Sequence, residues 1–415
     1  MNYEEMSSKE LLGLFQARLD EEAREAKKNG KLVCWSASVA PPEMCVAMDI
    51  AMVYPETHAA GIGARKGALD MLEVASQKGY SVDICSYARI NMGYMELLKE
   101  KALTGKTPEK LANSPAADVP LPDLIITCNN ICNTLLKWYE NLAAELHIPY
   151  IVIDVPFNHT MPVPEYAKEY IADEFRHAIS QLEEICGRKF DYDRFFEVQQ
   201  QTQRSVEQWN RVAKFLSDKP SPLNGFDLFN YMGLIVCARS RDYAEITFRK
   251  FADELEEKLK AGKFAFGDNE KTRVTWEGIA VWTYLSHTFK TLKGMGSLMT
   301  GSAYPGIWNL TYTPGDLKSM AEAYTKVYIN TCLEHRSDVL TEVARHGKCD
   351  GMLVHMNRSC KLMTFLNFDT AELVQKNLGI PYVTFDGDQT DPRNFAPAQF
   401  DTRVQALDEM MNKGA

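Results

Sequence analysis

A chain of 415 residues that is 45% hydrophobic and 25% charged has the composition of a soluble globular protein, with length for two to three domains. Its net charge of −10 and lack of a basic block argue against nucleic acid as the main partner. No run approaches the roughly 20 apolar residues of a membrane span. The N-terminus, MNYEEMSSKELLGLF, lacks a basic-then-apolar leader, so a cytoplasmic protein with no membrane partner is expected.

Residues 1–30 place Leu11, Leu12, Phe15 and Leu19 at helical spacing behind a Ser7-Ser8-Lys9-Glu10 cap, which predicts a packing helix. Then KLVCWSASV reads as a strand ending in small hydroxyl residues, and Pro41-Pro42-Glu43 opens a helix. AMVYPE reads as a second strand with Glu56 at its carboxyl end. The glycines Gly61, Gly63 and Gly67 that follow have the spacing G-x-G-x-x-x-G, a poor match to a dinucleotide fingerprint. A helix over Ala68–Gln77 stops before Gly79, and YSVDIC is expected to be a strand ending at Cys85.

After a polar excursion from Thr104 to Pro122, DLIITCNNIC gives a strand, LLKWYENLAAEL a helix and IPYIVID another strand. The segment from Pro164 to about Lys214 is helical without strands. A second alternating region begins near Thr272, with RVTWEGIAVW, TGSAYPGIW, a helix from about Met320 to Leu333, DGMLVHMNRSC and IPYVTFD, and a final helix follows Pro397. DGMLVHMNRSC and IPYVTFD repeat DLIITCNNIC and IPYIVID, so the chain looks duplicated. The expected fold is α/β, with two related open parallel-sheet domains of flavodoxin or Rossmann type joined by a helical connector. The boundaries are 1–30 for the N-terminal helix, 31–160 for the first domain, 161–221 for the connector and 222–415 for the second domain.

Ten cysteines in a reducing compartment suggest buried thiols, metal ligation or redox chemistry rather than disulfides. Cys85, Cys132 and Cys360 each stand past an apolar run and ahead of a helix, at the sheet edge where ligands bind in such folds. No C-x-x-C pair exists for a zinc knuckle or thioredoxin-type site. Ligands from distant segments suit a cubane iron–sulfur cluster, and three thiolates would leave one iron open. An inert buried thiol is the competing reading of each cysteine, and the two stand about level for the trio. Cys128 reads as a core residue beside Cys132, and Cys34, Cys45, Cys186, Cys237, Cys332 and Cys349 as packing residues. His58 and His355 read as structural histidines. Ser36, Ser38 and Glu56 reach the same rim, either as caps or as site residues. Asn129, Asn130, Asn133, Asn357, Arg358 and Asp386-Gly387-Asp388 complete it, as turn formers or ligand contacts; Ser36, Asn129, Asn357 and Arg358 are the candidates for substrate binding.

The stretches CWSASV, YPETHAAGIGARKG, VDICSYAR, TCNNICN with LLKWYENL, SPLNGFDLF, HMNRSCKLM and FDGDQTDPRNF together resemble the 2-hydroxyacyl-CoA dehydratase family, which is related to the benzoyl-CoA reductases. The resemblance runs nearly the whole length of the chain. It implies a heterodimer of homologous α and β subunits, each with a [4Fe-4S] cluster, and an ATP-dependent activator protein that injects an electron. In this chain it implies Cys85, Cys132 and Cys360 as ligands of a cluster with one open iron in the cleft between the domains. By the same resemblance Ser38 lies near that iron and Glu56 beside the reaction centre; a flavin in the holoenzyme stays open. The chemistry explains such an apparatus. In a 2-hydroxyacyl thioester the β-hydrogen is not acidic and hydroxide must leave from the α-carbon. One electron on the thioester carbonyl gives a ketyl that expels the hydroxyl, and the resulting enoxy radical has an acidic β-hydrogen. Other readings are a closed-cluster electron-transfer subunit, a metal-free sugar- or nucleotide-binding protein, and a reductase of the benzoyl-CoA type.

Overall fold

The computed structural model describes residues 3–115 and 119–412. The apolar runs form two four-stranded sheets in which every strand pair is parallel. The first holds β1 (Val33–Ser36), β2 (Ala51–Val53), β3 (Leu124–Cys128) and β4 (Tyr150–Ile153) in the order β2-β1-β3-β4. The second holds β5 (Thr272–Glu277), β6 (Ser297–Gly301), β7 (Gly351–Asn357) and β8 (Tyr382–Gly387) in the order β6-β5-β7-β8. The repeated strand order is the duplication expected from the sequence. An aspartate sets the same register in both halves. Asp123 N–H donates to Val33 O at 2.7 Å while its carboxylate accepts the Val33 N–H at 2.9 Å; Asp350 repeats both bonds on Arg273 at 2.7 and 2.8 Å. Strands β1, β3, β5 and β6 are buried throughout, which is why they read as continuous apolar runs rather than alternating ones.

In the first half, α1 (Ser8–Lys28) starts with the Ser7–Glu10 capping box. Helices α2 (Pro42–Ala47) and α3 (Pro55–Ala64) carry proline at their first position, and α4 (Ala68–Gln77) follows. Helix α5 (Ser86–Thr104) ends on Gly105 at φ +69°; α6 (Glu109–Ala112) and α7 (Asn133–Leu146) complete this half. Two expectations need correction. Pro55 stops the second strand early, so Glu56 lies in the first turn of α3 and not at a strand end. YSVDIC is a turn, not a strand: Ser81 accepts the Asp83 N–H on its hydroxyl, and Val82 is 61% exposed, so neither the backbone nor the side chains gain from a sheet. Cys85 therefore caps α5 directly.

Helices α8 (Glu165–Cys186), α9 (Tyr192–Lys214), α10 (Gly225–Cys237) and α11 (Asp242–Lys260) separate the two sheets, and α1 packs on α10 and α11. The second half adds α12 (Leu285–Met295), α13 (Leu317–Thr325), α14 (Leu333–His346), α15 (Lys361–Leu378) and α16 (Pro397–Asn412). The single helix expected from Met320 to Leu333 is split, because Asn330 and Cys332 spend their backbone groups on Asn158 of the first half, at 2.9 and 3.0 Å. Among the described residues no helix is long and apolar enough to cross a membrane.

Candidate active site

Each of the three singled-out cysteines is the capping residue of a helix: Cys85 of α5, Cys132 of α7 and Cys360 of α15. The Cys132 sulfur accepts the Leu135 N–H at 3.3 Å. Helix starts present unpaired N–H groups and a partial positive charge, a setting that favours thiolate over thiol. All three cysteines line one cavity of about 800 Å³, together with Ser38 and Glu56. Burial pushes each thiol up to about 12, and each also feels a neighbour: Cys132 acts on Cys85, Cys360 on Cys132 and Cys85 on Cys360. The trio is therefore one electrostatic cluster drawn from both halves. Cys128 is fully buried in the core. Cys34, Cys45, Cys186, Cys237, Cys332 and Cys349 also lie outside the cavity lining.

Polar contacts tie the cysteine turns together across the halves. Asn357 Oδ1 accepts the N–H groups of Ser359 and Cys360 at 3.2 and 3.3 Å, and its Nδ2 donates to Gln389 Oε1 at 2.8 Å. Gln389 Nε2 in turn donates to Cys85 Sγ at 3.1 Å. Ser86 donates to Asp388 Oδ1 at 2.6 Å and accepts from Thr390 at 2.7 Å, which docks the start of α5 on the second half.

In the same lining, Ser38 and Glu56 form one unit. Ser38 Oγ donates to Glu56 Oε1 at 2.8 Å, and the Ser38 N–H lies 3.2 and 3.1 Å from the two carboxylate oxygens. Tyr139 O–H donates to Glu56 Oε2 at 2.7 Å. Burial raises the Glu56 pKa, and the donors Tyr139 and Ser38 oppose that rise without cancelling it. Ser38 is itself clamped from behind. Its carbonyl accepts Arg239 Nη1 at 3.2 Å and Trp308 Nε1 at 3.0 Å, and Arg239, only 1% exposed, also donates to Ala40 O at 3.1 Å.

Four candidates do not reach the cavity. Ser36 is buried and donates to Ala37 O at 3.0 Å; Asn129 binds the Asp154 carboxylate and accepts the Val155 N–H at 2.6 Å. Asn357 supports the Cys360 turn as described, and Arg358 is exposed, 3.8 Å from Asp386. Asn129 and Asn357 hold turns, whereas Ser36 ends β1 and Arg358 makes a surface ion pair. His355 is buried, its Nδ1–H 2.6 Å from Ile279 O, and burial lowers its pKa to about 4. His58 stands edge-on to Tyr94 with ring centroids 4.5 Å apart. Gly61 and Gly63 lie inside α3, so this glycine run cradles no phosphate loop. Tyr139, Arg239, Trp308 and Gln389 are the site's unanticipated members. Only Tyr139 had a local signal: it lies seven residues after Cys132, two helical turns along α7 on the same face.

The family model described as 2-hydroxyglutaryl-CoA dehydratase, D-component, matches residues 37–411. The chain is 70% identical over 408 residues to the lactoyl-CoA dehydratase subunit alpha of Anaerotignum propionicum, covering 98% of this chain and 97% of that one. It is 43% identical to the (R)-2-hydroxyisocaproyl-CoA dehydratase alpha subunit of Clostridioides difficile, over 94% of this chain and 93% of the relative. With a benzoyl-CoA reductase chain of Thauera aromatica the identity is 24%, over 89% and 86% of the two chains. Motifs, duplicated fold and full-length similarity agree, and the chain belongs to the 2-hydroxyglutaryl-CoA dehydratase D-component family.

Proposed function

We propose that this chain is the α subunit of a 2-hydroxyacyl-CoA dehydratase, that lactoyl-CoA is its substrate and acryloyl-CoA its product, and that Cys85, Cys132 and Cys360 hold a [4Fe-4S] cluster. The observation that carries this reading is the convergence of three helix-capping cysteines on the cavity that also presents Ser38 and Glu56. Among the described residues no three His, Cys, Asp or Glu side chains are placed to hold one metal ion. A donor set of thiols alone, more widely spread than one ion needs, suits a group with several metal corners. Thiols pushed up to about 12 stay protonated without a compensating cation, which such a group provides.

When bound, the cluster supplies an electron for the thioester carbonyl and an open iron as Lewis acid for a substrate oxygen. The chain's own residues handle protons and water. Glu56 as carboxylate takes the β-proton once loss of the hydroxyl from the reduced thioester has made it acidic, and its raised pKa brings its basicity nearer to that of the task. Ser38 donates its hydroxyl hydrogen to the thioester or departing hydroxyl oxygen, while its N–H and Tyr139 keep Glu56 aimed. Leu135, Trp138, Ile307 and Trp308 line an apolar wall that excludes water from the short-lived radical. The α-hydroxyl and β-hydrogen leave as water and the electron returns, so the reaction is redox-neutral. A homologous β subunit with its own cluster and an ATP-hydrolysing activator complete the system; the names of the relatives as alpha subunits support a partner.

The test is anaerobic reconstitution followed by iron analysis, then assay with partner subunit, activator, ATP and reductant on a panel of 2-hydroxyacyl-CoA thioesters. Iron close to four per chain and fastest turnover of lactoyl-CoA are expected. Protein that takes up no iron, or turnover that needs none, would sink the proposal.

A further inference from the structure

The corner after β8 holds a fully buried amide, Gln389, that the duplication does not explain. The motifs IPYVTFD and IPYIVID align Gln389 with Phe157, which is 43% exposed and has no side-chain donor. The corner is braced on several sides. Gln389 O accepts the Trp282 N–H at 3.0 Å, Asp388 Oδ1 accepts the Thr390 and Asp391 N–H groups at 3.0 Å each, and Gly387 O accepts the Arg358 N–H at 2.9 Å. From this rigid base the side chain crosses to the first half, where its Nε2 lies 3.1 Å from Cys85 Sγ.

Backbone groups fix which way the amide points. The N–H groups of Ser359 and Cys360 can only donate, so they claim the oxygen of Asn357, at 3.2 and 3.3 Å. That leaves Asn357 Nδ2 to face Gln389, which must answer with Oε1, at 2.8 Å. The remaining group of Gln389, its N–H, therefore points at the sulfur. Both amides are 0% exposed, and neither can turn over without leaving a buried donor unpaired. Among the described residues Gln389 is the one side chain that donates to Cys85, Cys132 or Cys360; Cys132 takes the backbone N–H of Leu135 instead.

We infer that Gln389 is a positioning residue for the redox centre: its N–H, aimed by Asn357, bonds the Cys85 thiolate and sets the reduction potential of the cluster that Cys85 helps to hold. This rests on the reading of the three thiols as cluster ligands. A hydrogen bond to a ligand sulfur favours the form with more negative charge on that sulfur. The reduced form is that form, so the bond raises the potential.

The full-length chain, reconstituted anaerobically, decides the matter. Gln389→Met keeps nearly the same bulk and removes the N–H. In a reductive titration followed by electron paramagnetic resonance it is expected to lower the reduced-to-oxidised ratio at a fixed solution potential about tenfold, a shift of about 59 mV for one electron. The sign separates this role from a structural one, because a packing defect that admits water favours the more highly charged reduced form and moves the potential up. An unchanged or higher potential in an iron-replete Gln389→Met chain overturns the inference.

A second measurement uses the wild-type chain. With isotope-labelled nitrogen in the glutamine side-chain amides, electron–nuclear double resonance on the reduced cluster should show a nitrogen coupling that Gln389→Met lacks. A wild-type chain without that coupling overturns the inference even if Gln389→Met fails to fold or takes up no iron. Wild-type chain that takes up no iron overturns the functional reading itself, whereas a loaded chain with neither effect overturns only the role of Gln389.

Discussion

Strands β1 and β5 hold the same place in the two sheets, yet the corners beyond them have opposite fates. The register set by Asp123 and Asp350 aligns Ser38 with Gly278. Ser38 faces the cavity with Glu56. Gly278 has φ +102°, and a Cβ there would come within 3.1 Å of His355 O, so this corner has no room for a side chain. The acid beside it is sealed in as well. Glu277 is wholly buried, 3.0 Å from both Arg336 Nη2 and Tyr328 O–H, and Arg336 also binds Asn367 Oδ1 at 2.5 Å. The two strand ends correspond but their acids do not, since Glu277 aligns with Ala37 and Glu56 comes from α3; one corner is kept open to the cavity and the other is closed into the core. A buried carboxylate is thus no sign of catalysis until its access is known.

The largest contrast is expected at the cysteines. Cys132→Ser and Cys360→Ser, one from each half, should each abolish both bound iron and turnover, whereas Cys128→Ser, four residues from Cys132 but in the core, should keep both. Iron at the wild-type level in either of the first two would remove that residue from the ligand set.

The two acids come next. Glu56→Gln should lower kcat about 100- to 10,000-fold, the usual range for loss of a general base, with little change in thermal midpoint. Glu277→Gln should leave kcat per folded molecule near wild type but cost on the order of 3–5 kcal/mol in denaturant unfolding, because Arg336 keeps a buried charge without its counter-ion. The opposite pattern, a stable but inactive Glu277 variant, would mean the sealed corner takes part in turnover.

The second half should also carry an acid sensitivity of its own, at His355. His355 falls from the ordinary 6.5 to about 4 on folding because burial disfavours its charged form. The unfolded chain therefore binds this proton first. The His355 contribution to stability should be intact above pH 6.5 and be lost as the pH falls through the window from 6.5 to about 4, by on the order of 3 kcal/mol in full. Denaturant midpoints measured across that window should fall less steeply in His355→Gln if the histidine is responsible.

The smallest effect is expected in the first half, at Tyr139→Phe. Loss of its bond to the Glu56 carboxylate should reduce kcat/KM about tenfold. Tyr139 lowers the Glu56 pKa, so without it the acid limb of the pH profile should move to higher pH. An unmoved limb would show that Tyr139 does not reach the group that titrates.

Much of this molecule was legible in its sequence, because apolar runs, helix periodicity, prolines and stop signals report local backbone preference and burial. Strands β3 and β7 and their repeat, the helix Ala68–Gln77 and the strandless region of α8 and α9 follow from such patterns. So does the distinction between Cys128, the last residue of a buried strand, and Cys132, four residues on at a helix start. The misread end of β2 has a local cause in Pro55; two other failures concern partners. YSVDIC has the apolar content of a strand but pairs with neither sheet, and α13 and α14 part because their junction pairs with Asn158 of the other half. Partner choice among polar side chains was likewise beyond reach. Tyr139 finds Glu56 across 83 residues, Arg239 finds the Ser38 carbonyl across 201, and Gln389 finds Cys85 across 304. The sequence by itself determined most of the strands and helices and which cysteines stand ahead of helices, since these depend on near neighbours. Only the tertiary structure decided which corner stays open, since that depends on which distant side chains fill the space beyond each strand.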